Sequence, residues 1–129
     1  MKILRLLSCL AVLLLSAHLV PAQTEQEAMG LCFAEGRNTA VVRGFIGGES
    51  HDSYVLHLKA GRKVTVRISS RGNRAQFSVS KSEFGEPVSF GQETNGGRIW
   101  SGTIPETGVY FISVTAHPSA RYSLRVTKL

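Results

Sequence analysis

The sequence predicts an all-β protein, an antiparallel β-sandwich of about eight short strands, and three observations lead there. Apolar and polar residues alternate with period two in a series of runs, Gly, Pro and Asn interrupt those runs at close intervals, and no stretch carries a helical period. Strands are expected near residues 30–34, 38–46, 53–59, 62–69, 75–81, 86–90, 97–104, 108–115 and 121–128.

The clearest alternation is YVLHLKAGRKVTVRIS, residues 54–69. Tyr54, Leu56 and Leu58 share one face of a first strand, and Val64, Val66 and Ile68 share one face of a second. Val55, His57, Lys59, Lys63, Thr65, Arg67 and Ser69 face the other way, toward water. Gly61 between the runs reads as the positive-φ residue of a tight hairpin. The same pattern returns in Phe77 and Val79, in Tyr110, Ile112 and Val114, and in Tyr122, Leu124 and Val126. These inward sets most simply form the two facing layers of one sandwich. Burying each large aliphatic side chain contributes roughly 1.5–3 kcal/mol, enough in aggregate to order a chain of this size without a disulfide.

Residues 1–22 carry the pattern of a secretory signal peptide: Lys2 and Arg5, an apolar stretch from Leu6 to Val20, and small Ala22 before a polar break at Gln23. The apolar run is too short to favour a retained span. Cleavage leaves 107 residues and lowers the formal charge from +6 to +4, because Lys2 and Arg5 depart. Residues 23–28 read as a flexible lead-in and 29–129 as a single domain. The product is expected in the periplasm or outside the cell, as a monomer with no membrane span. Its Arg residues are spread out, which suits solubility and an acidic partner but no nucleic-acid motif. Cys9 leaves with the signal, so Cys32 has no partner for an internal disulfide and is expected to be a small buried hydrophobe.

No catalytic constellation emerges. His51, His57 and His117 are scattered, and His51 and Asp52 adjoin on a strand that sends neighbours to opposite faces, so no metal site and no cofactor are expected. The nucleophile elbow G-x-S-x-G is absent. Glu83, Glu86, Glu93 and Glu106 lie in Gly- and Pro-rich turns with no apolar setting to raise a carboxyl pKa. Asn95-Gly96-Gly97 has no following helix and reads as a turn. A binding protein, not an enzyme, is therefore expected.

Four elements carry a family resemblance: Gly44-x-Ile46-x-Gly48-x-x-x-Asp52-x-Tyr54, Lys59-x-Gly61-x-Lys63-Val64-x-Val66, Ile104-Pro105-x-x-Gly108-x-Tyr110-x-Ile112-x-Val114 and Tyr122-x-Leu124-x-Val126. Over about residues 40–128 the chain resembles the bacterial pre-peptidase C-terminal type of β-sandwich. Phe33-x-x-Gly36-x-x-x-Ala40-x-x-x-Gly44 makes it most similar, within that group, to the periplasmic inhibitors of g-type lysozyme. The resemblance implies an eight-stranded sandwich whose loops at one end enter the lysozyme cleft, using an aromatic residue on an early loop and Arg on a basic loop before the last strand. Here the early loop carries Glu49 after Gly48, and the late loop is the short segment 115–121 with Arg121. The resemblance thus implies a contact edge of Glu49, Ser50, His51, His117 and Arg121, with Arg121 making a forked pair of hydrogen bonds to a carboxylate of the target. A cell-envelope glycan, bound on a platform of Trp100 and Phe90, is the alternative partner, although Trp100 within a strand also suits the core.

Overall fold

The computed structural model describes residues 28–83 and 85–129; the expected signal peptide and nearly all of the lead-in lie outside them. Nine strands form: β1 (Met29–Gly30), β2 (Thr39–Gly47), β3 (Asp52–Leu58), β4 (Lys63–Ser70), β5 (Ala75–Ser80), β6 (Gln92–Thr94), β7 (Ile99–Thr103), β8 (Gly108–Ala116) and β9 (Ser119–Lys128). They make a four-stranded sheet ordered β1-β3-β8-β5 and a five-stranded sheet ordered β2-β9-β4-β7-β6. Every pairing is antiparallel except the short β1–β3 contact.

The inward faces are those that alternation predicts. Tyr54, Leu56, Leu58, Phe77, Val79, Tyr110, Ile112 and Val114 from one sheet meet Val64, Val66, Ile68, Tyr122, Leu124 and Val126 from the other, all buried. His57 faces solvent, as its parity requires.

The 54–69 segment is not a hairpin. β3 pairs with β1 and β8, whereas β4 pairs with β7 and β9, so the chain leaves one sheet at Leu58 and enters the other at Lys63. Alternation is the same in both geometries, because either way the inner face of each strand points at the core. Consecutive strands change sheet at each step except β6 to β7. Gly61 does adopt positive φ, +86°, and its N–H donates to Ile104 O at 2.8 Å while Ile104 N–H donates to Arg62 O at 2.8 Å. A Cβ at Gly61 would meet open space, so Gly61→Val is expected to cost roughly 1–3 kcal/mol through backbone strain alone, read as a lower denaturation midpoint.

Two expected strands differ. Residues 30–34 shrink to Met29–Gly30, and the exposure of Cys32 just beyond corrects its assignment to the core: Leu31 is the buried residue there. Residues 86–90 give one isolated bridge between Ser80 and Pro87, since Pro87 has no N–H to offer a ladder. The strand that forms nearby is instead β6, at one edge of the five-stranded sheet, whose Gln92, Glu93 and Thr94 are all exposed and show no alternation.

Candidate functional site

Three sheet-crossing connections stand side by side at one end of the sandwich. Residues 48–51 link β2 to β3, residues 71–74 link β4 to β5 through a 3-10 turn at Arg71–Asn73, and His117-Pro118 links β8 to β9. Their adjacency follows from the registers, in which Gly47 pairs with Ser119, Ser70 with Tyr122 and Ala75 with Ala116. His117 N–H donates to Arg74 O at 3.2 Å, tying the second connection to the third. The first is a tight turn in which the Ser50 hydroxyl donates to Gly47 O at 2.5 Å.

A buried clamp fixes this end from behind. The Tyr122 hydroxyl donates to Asp52 Oδ2 at 2.5 Å and lies 2.5 Å from the Tyr54 hydroxyl, joining the first turn of β3 to β9 across the two sheets. Asp52 thus anchors a tyrosine of the opposite sheet rather than capping its own turn. Burial pushes both phenols above the ordinary tyrosine pKa, and for Tyr122 the hydrogen bonds to Asp52 and Tyr54 add to the rise. Gly44 belongs to the clamp by omission: a Cβ there would sit 2.6 Å from the Tyr122 hydroxyl oxygen. The spacing Gly44…Asp52-x-Tyr54…Tyr122 is therefore the sequence trace of one inter-sheet contact.

Of the expected contact residues, the structure brings Glu49, Ser50, His51 and His117 to this rim, where Glu49, Ser50 and His117 are exposed and His51 is half-buried. Arg121 is different. The expected late loop 115–121 is mostly strand, and Arg121 lies inside β9, exposed on the outer face of the five-stranded sheet and directly opposite Phe45. Strand continuation wins because Ala120 and Tyr122 keep alternating inward. The Arg121–Phe45 pair stands two rungs below the rim, roughly 7 Å along the strands.

Sequence reasoning missed Phe45, Arg71 and Arg74. Phe45 is 61 % exposed, and its parity with Arg43 in β2 was the available signal. Arg71 and Arg74 sit on the 71–74 connection, both exposed, and only the sheet topology places them beside His117. The rim thus combines one exposed carboxylate, Glu49, with exposed Arg71 and Arg74 and the two His residues, so its formal charge is positive.

The glycan platform of Trp100 and Phe90 does not form. Trp100 is 2 % exposed and packs edge-to-face with half-buried Phe90 at 5.8 Å. Phe90 borders an open groove of about 370 Å³ at the opposite end, crossed by the 3.0 Å Lys81–Glu106 ion pair. Ser78-Val79-Ser80-Lys81 has a Ser-x-x-Lys spacing, but Lys81 lies just beyond the end of β5 and is engaged with Glu106. Among the described residues, no three His, Cys, Asp or Glu side chains gather as a metal site, and no helix is long and apolar enough to cross a membrane.

No protein-family model and no curated protein matches the chain. Solved structures do. PliG of Aeromonas hydrophila, a periplasmic lysozyme inhibitor of g-type lysozyme, superposes with a TM-score of 0.65 at 27 % identity, covering 78 % of this chain and 94 % of its own. PliG of Salmonella Typhimurium, also a periplasmic inhibitor of g-type lysozyme, gives 0.65 at 22 % identity, covering 81 % of this chain and all of its own. The pre-peptidase C-terminal domain of a Bacillus anthracis collagenase gives 0.58 at 19 % identity, covering 82 % and 100 %. The β-sandwich described above is thus the fold shared by these lysozyme inhibitors and the pre-peptidase C-terminal domain.

Proposed function

We propose that this protein is an exported, non-enzymatic inhibitor of g-type lysozyme that works by seating the rim of the three sheet-crossing connections in the enzyme's cleft. The observation that supports it most is the similarity to the Aeromonas hydrophila inhibitor over 94 % of that protein's length. A rim held rigid by the Tyr122–Asp52–Tyr54 clamp supports it further, since a pre-formed edge loses little freedom on binding. In this reading Glu49, Ser50, His51 and His117 form the contact edge. Arg121 donates a forked pair of hydrogen bonds to a catalytic carboxylate, and Arg71 and Arg74 add attraction to the acidic cleft.

The test is inhibition of purified g-type lysozyme beside c-type and i-type enzymes. Inhibition of the g-type enzyme alone, at micromolar concentration or below, is the expected result. Inhibition of none discards the proposal in favour of an envelope-binding module, and equal inhibition of all three would mean that charge, not fit, governs the contact.

A further inference from the structure

The two sheets differ sharply in charge. The strands of the four-stranded sheet, β1, β3, β5 and β8, contain no Lys or Arg, whereas β2, β4 and β9 of the five-stranded sheet contain Arg43, Lys63, Arg67, Arg121, Arg125 and Lys128. Among the strands of the five-stranded sheet the one carboxylate is Glu93 in edge strand β6, and β2, β4, β7 and β9 contain no Asp or Glu. Arg43, Arg67, Arg121 and Arg125 are all exposed on the outer face, and among the described residues the salt bridge is between Lys81 and Glu106, away from them.

Their registers form a continuous path. Arg43 pairs with Ser123, so Arg121 and Arg125 are its diagonal neighbours at about 7–8 Å, and Arg125 stands directly opposite Arg67 at about 5 Å. Like charges directly opposite destabilise a sheet, and nothing in the core requires either arginine, because both point to water. Such a pair is explained by something that brings negative charge to it. Around the arginines lie Ser123, Thr127 and Thr65, with Thr65 3.3 Å from the Ser101 hydroxyl. Phe45 exposes an aromatic face at the end of the path, opposite Arg121.

We propose that the outer face of the five-stranded sheet is a docking surface for an extended anionic polysaccharide, gripped along Arg121, Arg43, Arg125 and Arg67, with Phe45 stacking on a sugar ring. Forked guanidinium groups match carboxylate, sulfate or phosphate substituents, the hydroxyl side chains match sugar hydroxyls, and a run of charges across three strands matches a chain carrying several anionic groups. A second copy of this chain docking through the same face would meet its own charge. A folded acidic protein would need an apolar centre that excludes water, and among the described residues the exposed large apolar groups within the strands of this face are Val41 and Phe45, both on edge strand β2. The surface is separate from the rim contacts proposed for lysozyme except at Arg121.

The experiment measures binding of the protein to a heparin oligosaccharide and to oligogalacturonate, with poly-L-glutamate as the polypeptide comparison, at low and high salt. Binding of at least one polysaccharide, weakened by salt, is expected. The Arg43→Ser/Arg67→Ser/Arg125→Ser variant is expected to bind about tenfold or more weakly, while Arg37→Ser/Lys59→Ser/Arg62→Ser, an equal loss of charge on other surfaces, changes affinity by less than about threefold. Arg67→Ser alone relieves the like-charged pair, keeps the fold at least as stable, and still weakens polysaccharide binding. The proposal is overturned if neither polysaccharide binds, if the two triple variants lose affinity equally, or if poly-L-glutamate binds more tightly than both polysaccharides. That last result would assign the face to an acidic protein. Lysozyme inhibition assayed on the same variants reads the rim independently.

Discussion

Gly44→Ala is expected to lower the stability of the domain by about 2–4 kcal/mol, a large share of what a domain of this size possesses. The added Cβ would lie 2.6 Å from the Tyr122 hydroxyl oxygen, 2.8 Å from Cζ and 2.9 Å from Cε1, closer than carbon atoms approach. A free side chain would swing away. Tyr122 is not free: its ring is 4 % exposed and its hydroxyl is held by both Asp52 and Tyr54. The clash therefore costs about 1–3 kcal/mol as overpacking, and displacing the ring breaks a buried hydrogen bond worth about 0.5–1.5 kcal/mol more. Adding Tyr122→Phe removes the atom nearest the new methyl group, so the double variant should be less destabilised than the sum of the two single changes. Chemical denaturation of the four proteins measures this coupling. A Gly44→Ala midpoint indistinguishable from that of the parent would mean that the clamp yields easily and does not fix the rim.

Gly44 also shows what a single sequence makes legible. Alternation exposes which residues face inward, because side chains on a strand have only two choices, and Tyr54 to Leu58, Val64 to Ile68 and Tyr122 to Val126 all lie where it places them. The same periodicity is blind to which sheet a strand joins. For that reason 54–69 reads as a hairpin although its halves lie in opposite sheets, and Arg71 and Arg74 do not appear beside His117 until the topology is known. Arg121 reads as a loop residue because a short polar segment with Pro118 looks like a loop from composition, yet it lies in a strand because Ala120 and Tyr122 already follow the inward parity of β9. Edge strand β6 carries no pattern because no face of it is buried. Cys32 reads as buried from its apolar neighbours, but where the strand ends after Gly30, alternation no longer decides orientation. The rim residues Glu49, Ser50, His51 and His117 were legible only through the family resemblance. Nothing in their own chemistry marks them.

Arg121→Ala is expected to weaken inhibition of g-type lysozyme by about tenfold or more while changing stability by no more than about 0.5 kcal/mol. The small stability effect follows from its place: an exposed side chain on the outer face of β9, with Phe45 opposite and no salt bridge to lose among the described residues. The large functional effect follows from the proposed contact, in which the guanidinium presents two parallel N–H donors to one carboxylate of the enzyme, a pairing that alanine cannot replace. Arg121→Lys separates shape from charge. It restores the positive charge without the fork, so it should recover little of the lost inhibition. Phe45→Ala removes the exposed ring directly opposite Arg121 in the sheet and should produce part of the same loss with charge intact. Full inhibition by Arg121→Ala would take the residue out of the lysozyme contact and leave it to the polysaccharide face alone, and full recovery by Arg121→Lys would reduce its part to long-range attraction, which high salt would then abolish.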